Sequence, residues 1–182
     1  MESALAWIGK IFEWIGAFIP RWAIIDTTSG AIKYVGGKRV VVCGPGIHWY
    51  WPARTTFVEH PTARQTDRLE TQAMESRDGK TFIVSGTITY TVDDLAALIP
   101  TTFSPFHTIV DLAMAAVHDV CCEMDWADLQ AMQRRGTIKT QLKNEAQKQL
   151  KDYGINVIKL QLNSLSRCRA IRLSQSTSTE EN

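Results

Sequence analysis

The sequence is poor in the features that mark most function classes. It has four cysteines, Cys43, Cys121, Cys122 and Cys168, two of them adjacent. A compact secreted disulfide scaffold carries more, at wider and more regular spacings. The net charge is +1, so no overall field steers the chain toward nucleic acid or an acidic partner. An acid stands at residue 2 of the apolar N-terminus and no small-residue cleavage site follows it. The expectation is therefore a chain without a signal peptide, in a reducing compartment.

Catalytic signatures are equally scarce. There is no G-x-S-x-G elbow. The stretches "GPG" and "VGGK" lack the length and the Lys-Ser/Thr ending of a phosphate-binding loop. In "HDVCC", His118 lies one helical turn from Cys121 and Cys122, so two soft ligands share a face. A structural metal site needs four ligands, and no second pair is spaced to complete it; small cysteines packed in a core are the plainer reading. The chain is expected to be a non-enzyme with no catalytic residues, no metal and no cofactor. Ten bases against two acids over residues 134–172 raise the question of nucleic acid. These bases alternate with a helix stripe and a strand rather than with exposed aromatics, so nucleic acid is not the expected partner.

What is present begins at the N-terminus. In "ESALAWIGKIFEWIGAFIP", placed at 100° per residue, Leu5, Trp7, Ile8, Ile11, Phe12, Trp14, Ile15, Phe18 and Ile19 fall within one half of the helical wheel. Trp7 and Trp14 border that arc on the side of Lys10, where indole rings sit at a headgroup level. From Leu5 to Ile19 the helix would be about 22 Å long, short of the ~30 Å hydrocarbon core. Lys10 and Glu13 near its middle would each cost about 2.5–3.5 kcal/mol in a span. A helix lying in the interface avoids both problems, and these nine residues are the expected membrane-binding set. The alternative is a core-packing helix of a soluble domain.

After Pro20 the pattern turns to short strands. Ala23–Ile25, Ile32–Val35 and Val40–Val42 read as strands, with turns expected at Ser29-Gly30 and Gly36-Gly37. "TTFVEH" is a further strand. The clearest hairpin turns at Asp78-Gly79. Its second arm places Phe82, Val84, Gly86, Ile88, Tyr90 and Val92 on one face against Ser, Thr and Ile83 on the other. Helices follow. One starts at Ser104-Pro105 and carries the stripe Ile109, Leu112, Ala113, Ala116, Val117, Val120 and Cys121. A short one starts at Asp125 with Asp128 as capping partner. A longer one runs from about Thr137 to Tyr153, with a narrow stripe of Ile138, Leu142, Ala146, Leu150 and Tyr153 and with Gly154 ending it. "INVIKLQLNSL" is a last strand, with Ile158, Leu160 and Leu162 expected inward. Strands first and helices after them define an α+β fold. The expected organisation is an anchoring helix over 1–21, a folded domain over 22–166, and a polar tail over 167–182.

Charge is unevenly spread. Glu59–Asp128 holds twelve acids and four bases, a net of −8, whereas Arg134–Arg172 is +8. Two solvated faces account for this, and so does head-to-tail association of copies, acidic face to basic face. In the second reading Arg134, Arg135, Lys139, Lys143 and Lys148 lie at the oligomer interface.

Four pieces of the chain resemble the SPFH (band 7) family of stomatins, prohibitins, flotillins and HflK/HflC. They are "GAIKYVGGKRVVVCGPGIHWYWP", "ESRDGKTFIVSGTITYTVDD", "RRGTIKTQLKNEAQKQL" and "YGINVIKLQLNSL". The resemblance covers residues 23 to about 166. It implies a non-catalytic scaffold on the cytoplasmic face of a membrane. Such a scaffold assembles with itself into a ring or cage and corrals lipid and membrane proteins. An adaptor that binds one membrane protein, such as a membrane protease, is the alternative. The long C-terminal coiled coil of many members has no counterpart in the residues after Ser166, which carry no heptads.

One segment remains, "CGPGIHWYWP". Five of the six tryptophans lie within the first 51 residues. Trp49 and Trp51 share one face of an extended run and Tyr50 takes the other. Trp49 and Trp51 join the expected membrane-binding set, with the alternative that both faces are core. Cys43 beside them is a candidate for acylation, and His48 for titration or for simple packing.

Overall fold

The computed structural model describes residues 19–168. Seven strands come first: β1 (Arg21–Ile25), β2 (Ser29–Val35), β3 (Arg39–Cys43), β4 (Gly46–Tyr50), β5 (Thr55–Pro61), β6 (Gln65–Glu75) and β7 (Thr81–Val92). Then come helices α1 (Leu95–Leu98), α2 (Pro105–Cys122), α3 (Trp126–Arg135) and α4 (Ile138–Leu150), a 3-10 turn over Lys151–Tyr153, and strand β8 (Ile155–Arg167). The α+β order read from the sequence is the order observed. The expected anchoring helix and the polar tail lie outside the described residues, except for Ile19 to Arg21 and for Arg167 and Cys168.

The strands form three antiparallel sheets: a ribbon β1–β4, a sheet β3–β2–β5, and the main sheet β6–β7–β8. β7 is central in the main sheet and alternates as its sequence requires. Phe82, Val84, Gly86, Ile88, Tyr90 and Val92 are all buried, and the residues between them are half-buried. The stripes of α2 (Ile109, Ala113, Ala116, Val117, Cys121) and α4 (Ile138, Leu142, Ala146, Leu150) close over that face. Full burial of each large apolar side chain in this layer contributes about 1.5–3 kcal/mol. Leu112 and Val120, expected in the α2 stripe, are only partly buried and pack at its margin. Ile32 of β2 also enters the main core and ties the smaller sheet to the larger.

Three expectations are corrected. The first turn lies at Asp26–Thr28, closed by Ser29 N donating to Asp26 O at 3.1 Å. Gly30 is inside β2, paired with His60, and a Cβ there would lie 2.5 Å from Leu95 Cδ1. This glycine serves close packing of α1 rather than a turn. In β8 the pairing slips between Lys159, opposite Thr89, and Val157, opposite Tyr90. The resulting bulge at Ile158 resets the alternation, so Ile155, Val157, Leu160 and Leu162 are the buried residues. At α3, Asp125 makes no side-chain cap bond. Its carboxylate is held by Arg77, through bonds of 3.0 Å from Nε and 2.9 Å from an Nη.

That last exchange joins the hairpin tip to the helices. Asp78, in the β6–β7 turn, accepts from Trp126 N at 3.1 Å and so caps α3 from outside its own segment. Ser76 Oγ donates to the same carboxylate at 2.6 Å, and Lys80 Nζ lies 2.6 Å from it. Lys80, then Ser76, hold the Asp78 carboxyl well below the usual carboxylate range. The Trp126 ring packs on Phe82 at 5.5 Å between centroids, which completes the clasp.

Candidate functional site

The β1–β4 ribbon is the part of the fold that the core does not consume. Its register pairs Arg21 with Tyr50, Trp22 with Trp49, Ala23 with His48, Ile24 with Ile47, and Ile25 with Gly46. Directly opposed residues of an antiparallel pair share a face. Trp22, Ile24, Ile47 and Trp49 therefore occupy one face, and Ala23, Ile25, His48 and Tyr50 the other.

The second face is turned toward β3–β2–β5. Ile25 is buried with Ala31 and Cys43, and the Tyr50 ring meets Phe57 edge-on at 4.9 Å. Lys33 fastens the ribbon from beneath: its Nζ donates to Trp49 O at 2.9 Å and lies 5.9 Å from the Phe57 ring centre. His48 Nε2 is 2.8 Å from Gly44 O.

The first face has nothing over it among the described residues. Trp22, Ile24, Ile47 and Trp49 are 64, 69, 68 and 59% exposed. The two indole rings touch edge to face at 5.4 Å. Four large apolar side chains side by side on a rigid ribbon form a platform of the kind that marks an interaction surface. Ile19, half-exposed, stands where the amphipathic segment runs into β1.

Of the expected membrane-binding residues, Trp49 is on this platform. Trp51 is exposed but lies beyond the end of β4, lining a shallow hollow with Val35, Ala53, Arg54 and Thr55. Leu5, Trp7, Ile8, Ile11, Phe12, Trp14, Ile15 and Phe18 lie outside the described residues. The sequence reading missed Trp22, Ile24 and Ile47. Their signal was the alternation in "RWAII" and "GIHWY", which is legible only once the two runs are known to pair.

The five expected interface bases are not gathered into one cluster. Arg134 and Arg135 are exposed in the last turn of α3. Lys139 and Lys143 follow on α4, one turn apart on the same flank and exposed. None of these four makes an ion pair with a described residue. Lys148 projects from another side of α4 and is engaged by Glu145 at 3.4 Å. Exposed acids, Asp111 and Asp119, lie on α2.

The other sequence candidates separate. His118 is exposed, 3.7 Å from Asp119, whereas Cys121 is fully buried, its thiol pushed up to about 12 by burial. They do not face a common point. Cys43 is buried, with Sγ 3.9 Å from Val41 O, and offers no accessible thiol. Among the described residues no helix is long and apolar enough to cross a membrane.

The described residues thus form an α+β domain that leaves one apolar ribbon face uncovered. The SPFH domain / Band 7 family profile matches residues 23–179, and the chain belongs to that family. The family is one of membrane-associated scaffolds and is in general non-catalytic. A comparison with curated proteins returns no match.

Proposed function

We propose that this chain is a monotopic scaffold that attaches to one leaflet and assembles with itself to organise a membrane patch. The observation that carries this reading is the Trp22/Ile24/Ile47/Trp49 platform, which begins where the amphipathic segment ends. Segment and platform are then two parts of one membrane contact. The segment supplies depth, and the platform fixes the orientation of the folded domain against the headgroups. Indole rings at a wet apolar boundary suit that place. Four free thiols are compatible with the cytoplasmic face.

Assembly is supported by the unpaired flank of Arg134, Arg135, Lys139 and Lys143 and by the acids of α2, which lie on different elements. A contact between unlike patches is heterologous and propagates into rings or filaments.

Flotation with vesicles of phosphatidylcholine and phosphatidylglycerol tests attachment. The full chain is expected to float, and a chain starting at Trp22 to float less. A full chain with Trp22→Ser and Trp49→Ser should also lose binding. Equal flotation of all three would remove the segment and the platform as the membrane contact, and no flotation of the full chain would remove the membrane reading. Particle size in mild detergent tests assembly. Discrete large particles are expected, and a monomer that captures a membrane protease would favour an adaptor instead.

A further inference from the structure

Two further surface features lie outside the Trp22/Ile24/Ile47/Trp49 platform. The first is the connection from α1 to α2. Phe103 there is fully exposed and Phe106 half-exposed. The loop is nevertheless held. Thr101 and Thr102 hydroxyls donate to Leu98 O at 3.1 and 2.7 Å, and Ser104 Oγ lies 2.6 Å from His107 Nδ1. Phe106 meets the His107 ring edge-on at 5.5 Å, and Pro105 sets the first turn of α2. The result is a braced knuckle with a phenyl ring at its tip.

The second feature is the hollow lined by Val35, Trp51, Ala53, Arg54 and Thr55. Its rim is fixed by Gly36 N donating to Arg54 O at 2.7 Å and Arg54 N to Trp51 O at 3.0 Å. It is large enough in outline and apolar enough in its lining to take a ring.

The elements that hold the two differ in charge. Helix α2, whose first turn closes the knuckle, carries the exposed Asp111 and Asp119 and no lysine or arginine. Residues 27–58, which contain the hollow, hold four bases and no acid, with Lys38, Arg39 and Arg54 beside it. The two features also sit apart. The hollow is at Val35, the end of β2, whereas α1, which leads to the knuckle, abuts Gly30 at its start.

We propose that the Phe103–Phe106 knuckle of one copy seats in the Val35–Trp51 hollow of a second copy. A fully exposed aromatic gains most from desolvation in such a pocket, and the opposed charges steer and orient the encounter. Because knob and hole are different patches, the contact is heterologous and repeats from copy to copy. It rests on the self-assembly reading above and names the residues that would carry it.

The test uses the full chain with Cys168→Ser, on the same anionic vesicles. Thr101→Cys and Ala53→Cys variants, both exposed positions that keep Phe103 in place, are oxidised each alone and as a mixture. Disulfide-linked dimers are expected from the mixture and not from either variant alone. Phe103→Ser, an exposed change that leaves the core intact, should raise the concentration for half-assembly at least tenfold. A mixture that cross-links no more than its components, or a Phe103→Ser chain that assembles like the parent, overturns this contact while leaving self-assembly standing. A parent chain that stays monomeric on vesicles overturns both. Loss of flotation in Phe103→Ser with assembly unchanged makes the knuckle a lipid contact and also overturns the proposal.

Discussion

Trp22 and Trp49 stand directly opposite each other in the β1–β4 ribbon, their rings in edge-to-face contact 5.4 Å apart, with both indoles turned away from the protein. A pair so placed stiffens the ribbon and presents a single aromatic unit to whatever lies outside. The same register sends Tyr50 inward onto Phe57. The face of the aromatic segment that the fold leaves open is therefore the Trp49 face.

The first prediction concerns that pair. Transferring the exposed half of each indole to lipid contributes about 1–1.5 kcal/mol, so replacing both by alanine should lower vesicle partitioning roughly thirtyfold or more. Far-ultraviolet circular dichroism and the melting temperature should change little, since neither ring is in the core. Titration with vesicles, read by sedimentation, checks this.

The second concerns acid. Asp78 is held below the usual carboxylate range by Lys80 and Ser76, and Asp125 by Arg77. A depressed folded pKa means that the contribution to stability is present above the unfolded value, about 4, and is lost as pH falls below it. Thermal melts should fall as pH drops from about 5 to 2. Asp78→Asn should start lower and show a shallower fall, because it no longer exchanges that proton.

A third prediction compares two glycines with similar backbones. Gly36 and Gly154 have φ of +62° and +69°. A Cβ at Gly36 meets nothing within 4 Å, whereas at Gly154 it would lie 2.5 Å from Asp94 O and 2.7 Å from Asp94 Cβ. Gly36→Ala should cost about 1–2 kcal/mol, the left-handed penalty alone. Gly154→Ala should cost about 3–5 kcal/mol, since the α1 cap and the α4–β8 turn must separate. Urea unfolding midpoints separate the two.

The fourth concerns Tyr90. Its hydroxyl donates to Asp67 Oδ2 at 2.8 Å from an almost fully buried ring. Burial, then that bond, raise its pKa above the ordinary phenol value. The stability tied to the neutral phenol is present below about pH 10 and lost as pH rises further. Tyr90→Phe should cost about 1–2 kcal/mol at neutral pH. It should also lose less stability than the parent above pH 10, as followed by chemical denaturation across pH.

Much of the fold was legible because it rests on local repetition. The β7 alternation and the α4 stripe are periods of two and of 3.6, and each leaves one face that must be buried. Asp78-Gly79 and Gly36-Gly37 mark turns because few residues other than glycine accept positive φ. Gly30 misled for the same reason. It looks like a turn residue, yet its role is to admit Leu95, a partner 65 positions away. The Ile158 bulge leaves a trace in the sequence, the adjacent pair Val157-Ile158 where the apolar alternation shifts by one, but only the register against β7 decides which of the two turns inward.

The sequence by itself determined the order of elements, the faces of β7, α2 and α4 that go inward, and an N-terminal segment with one bulky apolar side. These follow from side-chain periodicity, which acts over a few residues. Tertiary structure alone decided that "RWAII" pairs with "GIHWY", that Phe57 and Ile25 claim the inner face of that ribbon, and that Asp78 caps a helix 48 residues away. A short strand with apolar residues on both faces cannot settle which face is exposed. Its partner's register and the sheet beneath it settle that, and with it the orientation of Trp22 and Trp49.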